Sequence, residues 1–169
     1  MAPERREELR RTYLSLGVGE LASAGVFTLA APSVGNHLSG PGRWALWAAV
    51  VPLVVVLLQG GCYWLAARSW VGVSPMPPRL VSTYRAFAAI NPVLFAAAGA
   101  AVATWWPEDV LGRTVVVLAW LFGVAEYLNY YVVRLAYPAR TWLRLVRQWR
   151  VPRLVADLRA HRSSDPRVP

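Results

Sequence analysis

The sequence predicts an all-α integral membrane protein: a four-helix up-and-down bundle with both chain ends on the cytoplasmic side, followed by an amphipathic helix in the membrane interface. Three observations carry this expectation. Four apolar stretches approach the about 20 residues that a helix needs to cross a hydrocarbon core. Arginine gathers on one side of those stretches, and tryptophan marks their ends, as it does at membrane–water interfaces.

The expected spans cover roughly residues 13–31, 44–67, 86–105 and 114–133, within a four-helix domain of residues 1–138. The second is the clearest, with AVVPLVVVLL at its centre. The first is interrupted by Gly17, Gly19, Glu20, Ser23 and Gly25. A cleaved signal peptide would place its small-residue site at Ala22-Ser23-Ala24, but Glu20 lies inside what would be its apolar core, so a retained span is the better reading.

Orientation follows from the basic residues. With the N-terminus inside, the outer loops hold only Arg43 and Arg113, and every other Arg lies inside, from Arg5 through Arg68, Arg79 and Arg85 to Arg134 and beyond. That bias requires an even number of spans. Trp44, Trp47, Trp105 and Trp106 fall at the outer edge; Trp64, Trp70, Trp142 and Trp149 lie toward the inner one. Loops SVGNHLSGPGR and WPEDVLGR connect outside, and SWVGVSPMPPRL connects inside, where Pro75, Pro77 and Pro78 enforce an extended chain. Such short connections favour antiparallel neighbours.

Beyond Tyr137-Pro138, residues 139–162 read as cytoplasmic amphipathic helices and residues 163–169 as a disordered tail. Trp142, Leu145, Val146 and Trp149 share one face, opposite Arg140, Arg144 and Arg147. A basic face backed by Trp and Leu suits a helix lying on anionic headgroups, so Arg140, Arg144, Arg147, Trp142 and Trp149 are candidate membrane-surface residues. Pro152 ends this helix and starts a second, with Leu154, Val155 and Leu158 as its apolar stripe.

Composition excludes several classes of function. The formal charge is +9, carried by Arg with no Lys. Because the Arg residues flank apolar runs and form no nucleic-acid-binding signature, the bilayer is the expected partner and nucleic acid is not. A homo-oligomer or a partner membrane protein fits the same picture. One cysteine, Cys62, rules out an intrachain disulfide or a CxxC site. His37 and His161 both lie outside the spans, and no nucleophile elbow, Walker loop or dinucleotide fingerprint is present, so neither a metal nor a cofactor is expected. Richness in Arg, Ala, Val, Gly and Pro with one isoleucine, Ile90, matches the codon usage of a GC-rich bacterium.

The informative residues are the polar ones inside spans, because ionisable groups are costly there and usually face a bundle interior or a wet cavity. At 1.5 Å per residue, Glu20, Gln59 and Glu126 lie roughly 12–14 Å from the inner edge and Asn91 roughly 9 Å, with Asn129 about one turn from Glu126. Each also shares a helix face with a tyrosine nearer the cytoplasm: Glu20 with Tyr13, Gln59 with Tyr63, Asn91 with Tyr84, Glu126 with Tyr130. These nine residues are the candidate ligand- or ion-binding layer. Gln59 and Asn129 read more simply as interhelical hydrogen-bonding groups. Glu20 and Glu126 read equally as glue or as a site for a proton, a cation or a cationic ligand.

Three further expectations concern packing. Pro92 frees the carbonyl of Ala88, which the bundle must satisfy. Small residues at Ser15, Gly19 and Ser23, and at Ala97 and Ala101, let helices approach closely. Arg85 and Arg134 read as lipid-facing side chains that reach back to the inner surface. The leading functional reading is a non-enzymatic accessory, assembly or small-ligand-binding component. A proton- or cation-coupled transporter working as an oligomer is the alternative, and a membrane-embedded lipid-modifying enzyme using Glu126 or Glu20 stands third.

Overall fold

The computed structural model describes residues 2–38, 40–133 and 151–163, the side chains of residues 161–163 excepted. Among the described residues the protein is all-α, with helices α1 (Pro3–Gly35), α2 (Gly40–Trp70), α3 (Pro78–Thr104), α4 (Val110–Tyr131) and α5 (Arg153–Ser163). The first four are long and apolar enough to cross a membrane. Their 33, 31, 27 and 22 residues correspond to about 50, 47, 41 and 33 Å, against an apolar core of about 30 Å.

Each of these helices begins before its apolar stretch does. Helix α1 runs unbroken from Pro3 through the glycines and past Pro32, because a helix in a bilayer keeps every backbone group bonded within itself. The connection between α2 and α3 therefore shrinks to residues 71–77, where Gly72 takes a left-handed φ of 71° that a side chain would strain. Pro77 is extended and Pro78 opens α3, since the first turn has no use for the donor that proline lacks. Before α4, Asp109 accepts a 2.6 Å hydrogen bond from the backbone N–H of Gly112 and caps the helix.

Helix α2 is the centre of the molecule. Its most apolar stretch is 61 % buried, against 17 % for α1 and α4 and 22 % for α3. Helices α1, α3 and α4 all pack on α2, and α3 also packs on α4. One cluster joins Tyr13 near the start of α1, Tyr63 and Trp70 near the end of α2, Tyr84 near the start of α3 and Tyr130 at the end of α4. A second joins Ala31, Ala45, Val102 and Val116 from the opposite helix ends. Successive helices thus run antiparallel. The first cluster lies at the α5 end of the bundle and is aromatic; the second, at the far end, is built from small aliphatic side chains.

Lipid is as apolar as leucine, so close contact and hydrogen bonds rather than burial hold such helices together. Helices α1 and α2 approach closely at Gly17 and Gly61. A Cβ on either glycine would lie 3.2 Å from the other's carbonyl oxygen and 2.8 Å from a leucine, Leu65 or Leu21. The buried stripe on α1 is Tyr13, Gly17, Ala24, Ala31 and Gly35. This corrects the expected contact stripe of Ser15, Gly19 and Ser23: Ser15 and Gly19 are exposed, and nothing lies within 4 Å of a Cβ placed on Gly19. Two positions along a helix amount to more than half a turn, so Gly17 and Gly19 face opposite ways. On α3, likewise, Ala98 and Val102 are buried and Ala97 is exposed.

Helix α5 closes its end of the bundle. Leu154 and Leu158 join the aromatic cluster. Asp157, only 11 % exposed, accepts hydrogen bonds from the Tyr63 hydroxyl at 2.8 Å and from Trp70 Nε1 at 3.3 Å, and pairs with Arg153 at 3.1 Å. Three donors on one carboxylate answer its desolvation. Arg85 donates to the carbonyl of Leu158 at 3.2 Å, so this side chain holds α5 instead of only reaching toward a surface.

Candidate functional site

The polar residues of the four spans gather near the α5 end, but they divide into two groups on opposite sides of α2. The first joins α2, α3 and α4. Gln59 Nε2 donates to Asn91 Oδ1 at 3.2 Å while Asn91 Nδ2 donates to Gln59 Oε1 at 2.8 Å. The same Oε1 accepts from the Tyr131 hydroxyl at 2.8 Å, and the Tyr84 hydroxyl donates to the Gln59 carbonyl at 2.8 Å. Asn91 is 1 % exposed and Gln59 8 %. This amide clasp is closed, with its donors and acceptors directed at one another. It joins α2, α3 and α4.

Next to the clasp, the Tyr127 hydroxyl donates to the Ala88 carbonyl at 3.3 Å. That is the carbonyl freed by Pro92, so the missing backbone bond of α3 is replaced from α4. Helix α3 continues through the proline without interruption.

The second group joins α1, α2 and α4. Trp64 Nε1 donates to the Tyr130 oxygen at 3.1 Å, and the Tyr130 hydroxyl donates to Glu20 Oε1 at 2.5 Å. Tyr130 lies over Gly60, where an added Cβ would come within 2.5 Å of the ring. Glu126 hydrogen-bonds the Asn129 side chain and stands near enough to Glu20 for the two carboxyls to interact. Its Oε2 is buried and has no hydrogen-bond partner among the described residues.

This second group borders a pocket of about 380 Å³. Helix α1 supplies Leu9, Thr12, Tyr13, Leu16 and Glu20; α2 supplies Trp64; α4 supplies Asn129 and Tyr130. Pro152, Arg153 and Leu154, at the start of α5, close the remaining side. Tyr13 and Trp64 meet with ring centroids 4.9 Å apart. Farther along the gap between α1 and α4 runs an apolar groove of about 390 Å³, bounded by Phe27, Val34, Leu46, Val50, Leu118 and Phe122. The ring contact between Phe27 and Phe122, at 5.7 Å, spans that gap.

The nine candidate residues are therefore distributed as follows. Glu20, Tyr13, Tyr130 and Asn129 share the pocket; Gln59, Asn91 and Tyr84 form the clasp. Tyr63 leaves the layer and binds Asp157 of α5. Glu126 interacts with Glu20 and is not among the residues that line the pocket. Tyrosines bond across helices, not along their own: Tyr130 serves Glu20 and Tyr84 serves Gln59. Sequence reasoning missed Trp64, Tyr127, Tyr131 and Asp157. The sequence did carry a signal for Tyr131, since adjacent Tyr130 and Tyr131 point about 100° apart and so reach different neighbours. The candidate surface residues Arg140, Trp142, Arg144, Arg147 and Trp149 lie outside the described residues. No family model matches the chain, and no curated protein or solved structure matches it either.

Proposed function

We propose that the chain is a multi-pass protein of the cytoplasmic membrane, with both ends cytoplasmic, that acts as a non-enzymatic binding component and admits a small ligand between α1, α4 and α5. One observation carries the reading: a pocket of ligand size, about 380 Å³, holds a carboxylate fixed in place by a tyrosine at the end of the bundle where arginine is concentrated. Anionic lipid at that surface and a second copy of the chain are the partners proposed with it.

The reading is tested by placing a cysteine at Thr12 in a Cys62→Ala background. A membrane-impermeant thiol reagent should label it in inside-out vesicles and not in right-side-out ones. Adding Leu16→Trp, which fills the pocket, should slow labelling several-fold. Labelling from the opposite side only, or from neither side, would sink the proposal.

A second reading, proton- or cation-coupled transport by an oligomer, is favoured by the unpartnered oxygen of Glu126 beside Glu20. Proteoliposomes under an imposed potential should then take up protons faster than empty vesicles. Glu20→Gln and Glu126→Gln should each remove the excess, whereas equal rates in loaded and empty vesicles would leave binding alone.

A further inference from the structure

We infer that the ligand of the α1–α4–α5 pocket is an organic ammonium ion, an inference that rests on the pocket being a binding site. The lining narrows the chemistry by elimination. Glu20 opposes an anion. A neutral apolar ligand would strip water from that carboxylate and return nothing, which is costly for a charged group. A bare divalent metal needs six or more oxygens at close range. Among the described residues the side-chain oxygens in the lining come from one carboxylate, one amide and three hydroxyls, and these already serve other groups, as Tyr130 serves Glu20 and Thr12 the Glu8 carbonyl.

What the lining offers is aromatic. Tyr13, Trp64 and Tyr130 border the same space as the carboxylate. Aromatic rings carry negative faces that attract ammonium groups, and the combination with a nearby acid is how proteins hold alkylated amines. Leu9, Leu16 and Leu154 supply apolar surface for the substituents on nitrogen. Among the described residues the one cation in the lining is Arg153, and its charge is answered by Asp157 at 3.1 Å. Tyr130 holds the carboxylate before the ligand arrives, so little ordering is left to binding.

The test uses the Thr12→Cys, Cys62→Ala protein in nanodiscs and measures protection from thiol alkylation. The probes are choline and benzyltrimethylammonium, compared with 3,3-dimethylbutan-1-ol, in which carbon replaces the nitrogen of choline. The ammonium probes should protect saturably and roughly tenfold more tightly than the neutral alcohol. Glu20→Gln, which can still accept from Tyr130, should weaken that protection roughly tenfold or more. Trp64→Leu should weaken it several-fold, and Gly19→Ala, on the exposed face of α1, should leave it unchanged. Far-ultraviolet circular dichroism and a single size-exclusion peak report that each variant is folded. Brisk labelling that neither ammonium probe slows, or equal protection by the alcohol, would overturn the ligand class while leaving the pocket standing. A cysteine that never labels would instead remove the pocket reading itself.

Discussion

At the scale of single residues, the sharpest contrast is between two glycines. A methyl on Gly60 meets the Tyr130 ring at 2.5 Å, and that ring is held from both sides by Trp64 and Glu20. Gly60→Ala should therefore destabilise the protein by about 1–3 kcal/mol, the usual cost of overpacking. Gly19→Ala meets open space and should leave stability unchanged or slightly higher. Thermal unfolding of both variants in one detergent checks the pair; equal melting temperatures would show that Tyr130 can yield. The amide clasp makes a second prediction. Replacing Gln59 and Asn91 by leucine, singly and together, should give a coupling energy of about 0.6–1.7 kcal/mol, as hydrogen bonds between membrane helices do. A coupling of zero would mean that each amide finds another partner on its own.

At the scale of elements, one carboxylate of α5 gathers several of its polar contacts. Asp157 collects Tyr63, Trp70 and Arg153, and hydrogen bonds to a charged group contribute about 1.5–3 kcal/mol each, net of exchange with water. Asp157→Ala should release α5 while leaving the four long helices in place. Limited trypsin digestion should then cut at Arg153 and Arg159 severalfold faster, with unchanged far-ultraviolet circular dichroism; an unaltered digestion rate would mean that Leu154 and Leu158 suffice to hold the helix. The sequence identified the apolar residues of this element but not its anchor. Asp157 shares no heptad or motif with Tyr63, which is 94 positions away. The four spans were readable because hydropathy averages over about twenty residues. The polar layer was readable as a depth, since depth depends only on counting along a helix. Which of its members would touch was not readable, because that depends on helix rotation and neighbour order. Hence the sequence reading paired Tyr84 with Asn91 and Glu126 with Tyr130 along their own helices, whereas the contacts run sideways to Gln59 and Glu20.

At the scale of the whole molecule, the arrangement is a hub with three spokes rather than a ring. Helices α1 and α4 meet through a few side chains across a gap that holds both the pocket and the apolar groove. If the proposed orientation holds, cysteines placed at His37 and at Ser74 in a Cys62→Ala protein should label from opposite sides of sealed vesicles. Labelling from the same side would overturn the antiparallel crossing of α2 in the membrane.

The central place of α2 also bears on how the chain is made. Synthesis delivers α1 and then α2, the pair that meets most intimately, at Gly17 and Gly61. Each later helix finds its docking surface already present: α3 on Gln59 of α2, α4 on Gly60 and Trp64, and α5 on Tyr63 and Trp70. No described helix has to be displaced to admit another. Assembly can follow the order of translation, one helix at a time, with the pocket completed only when the last element arrives.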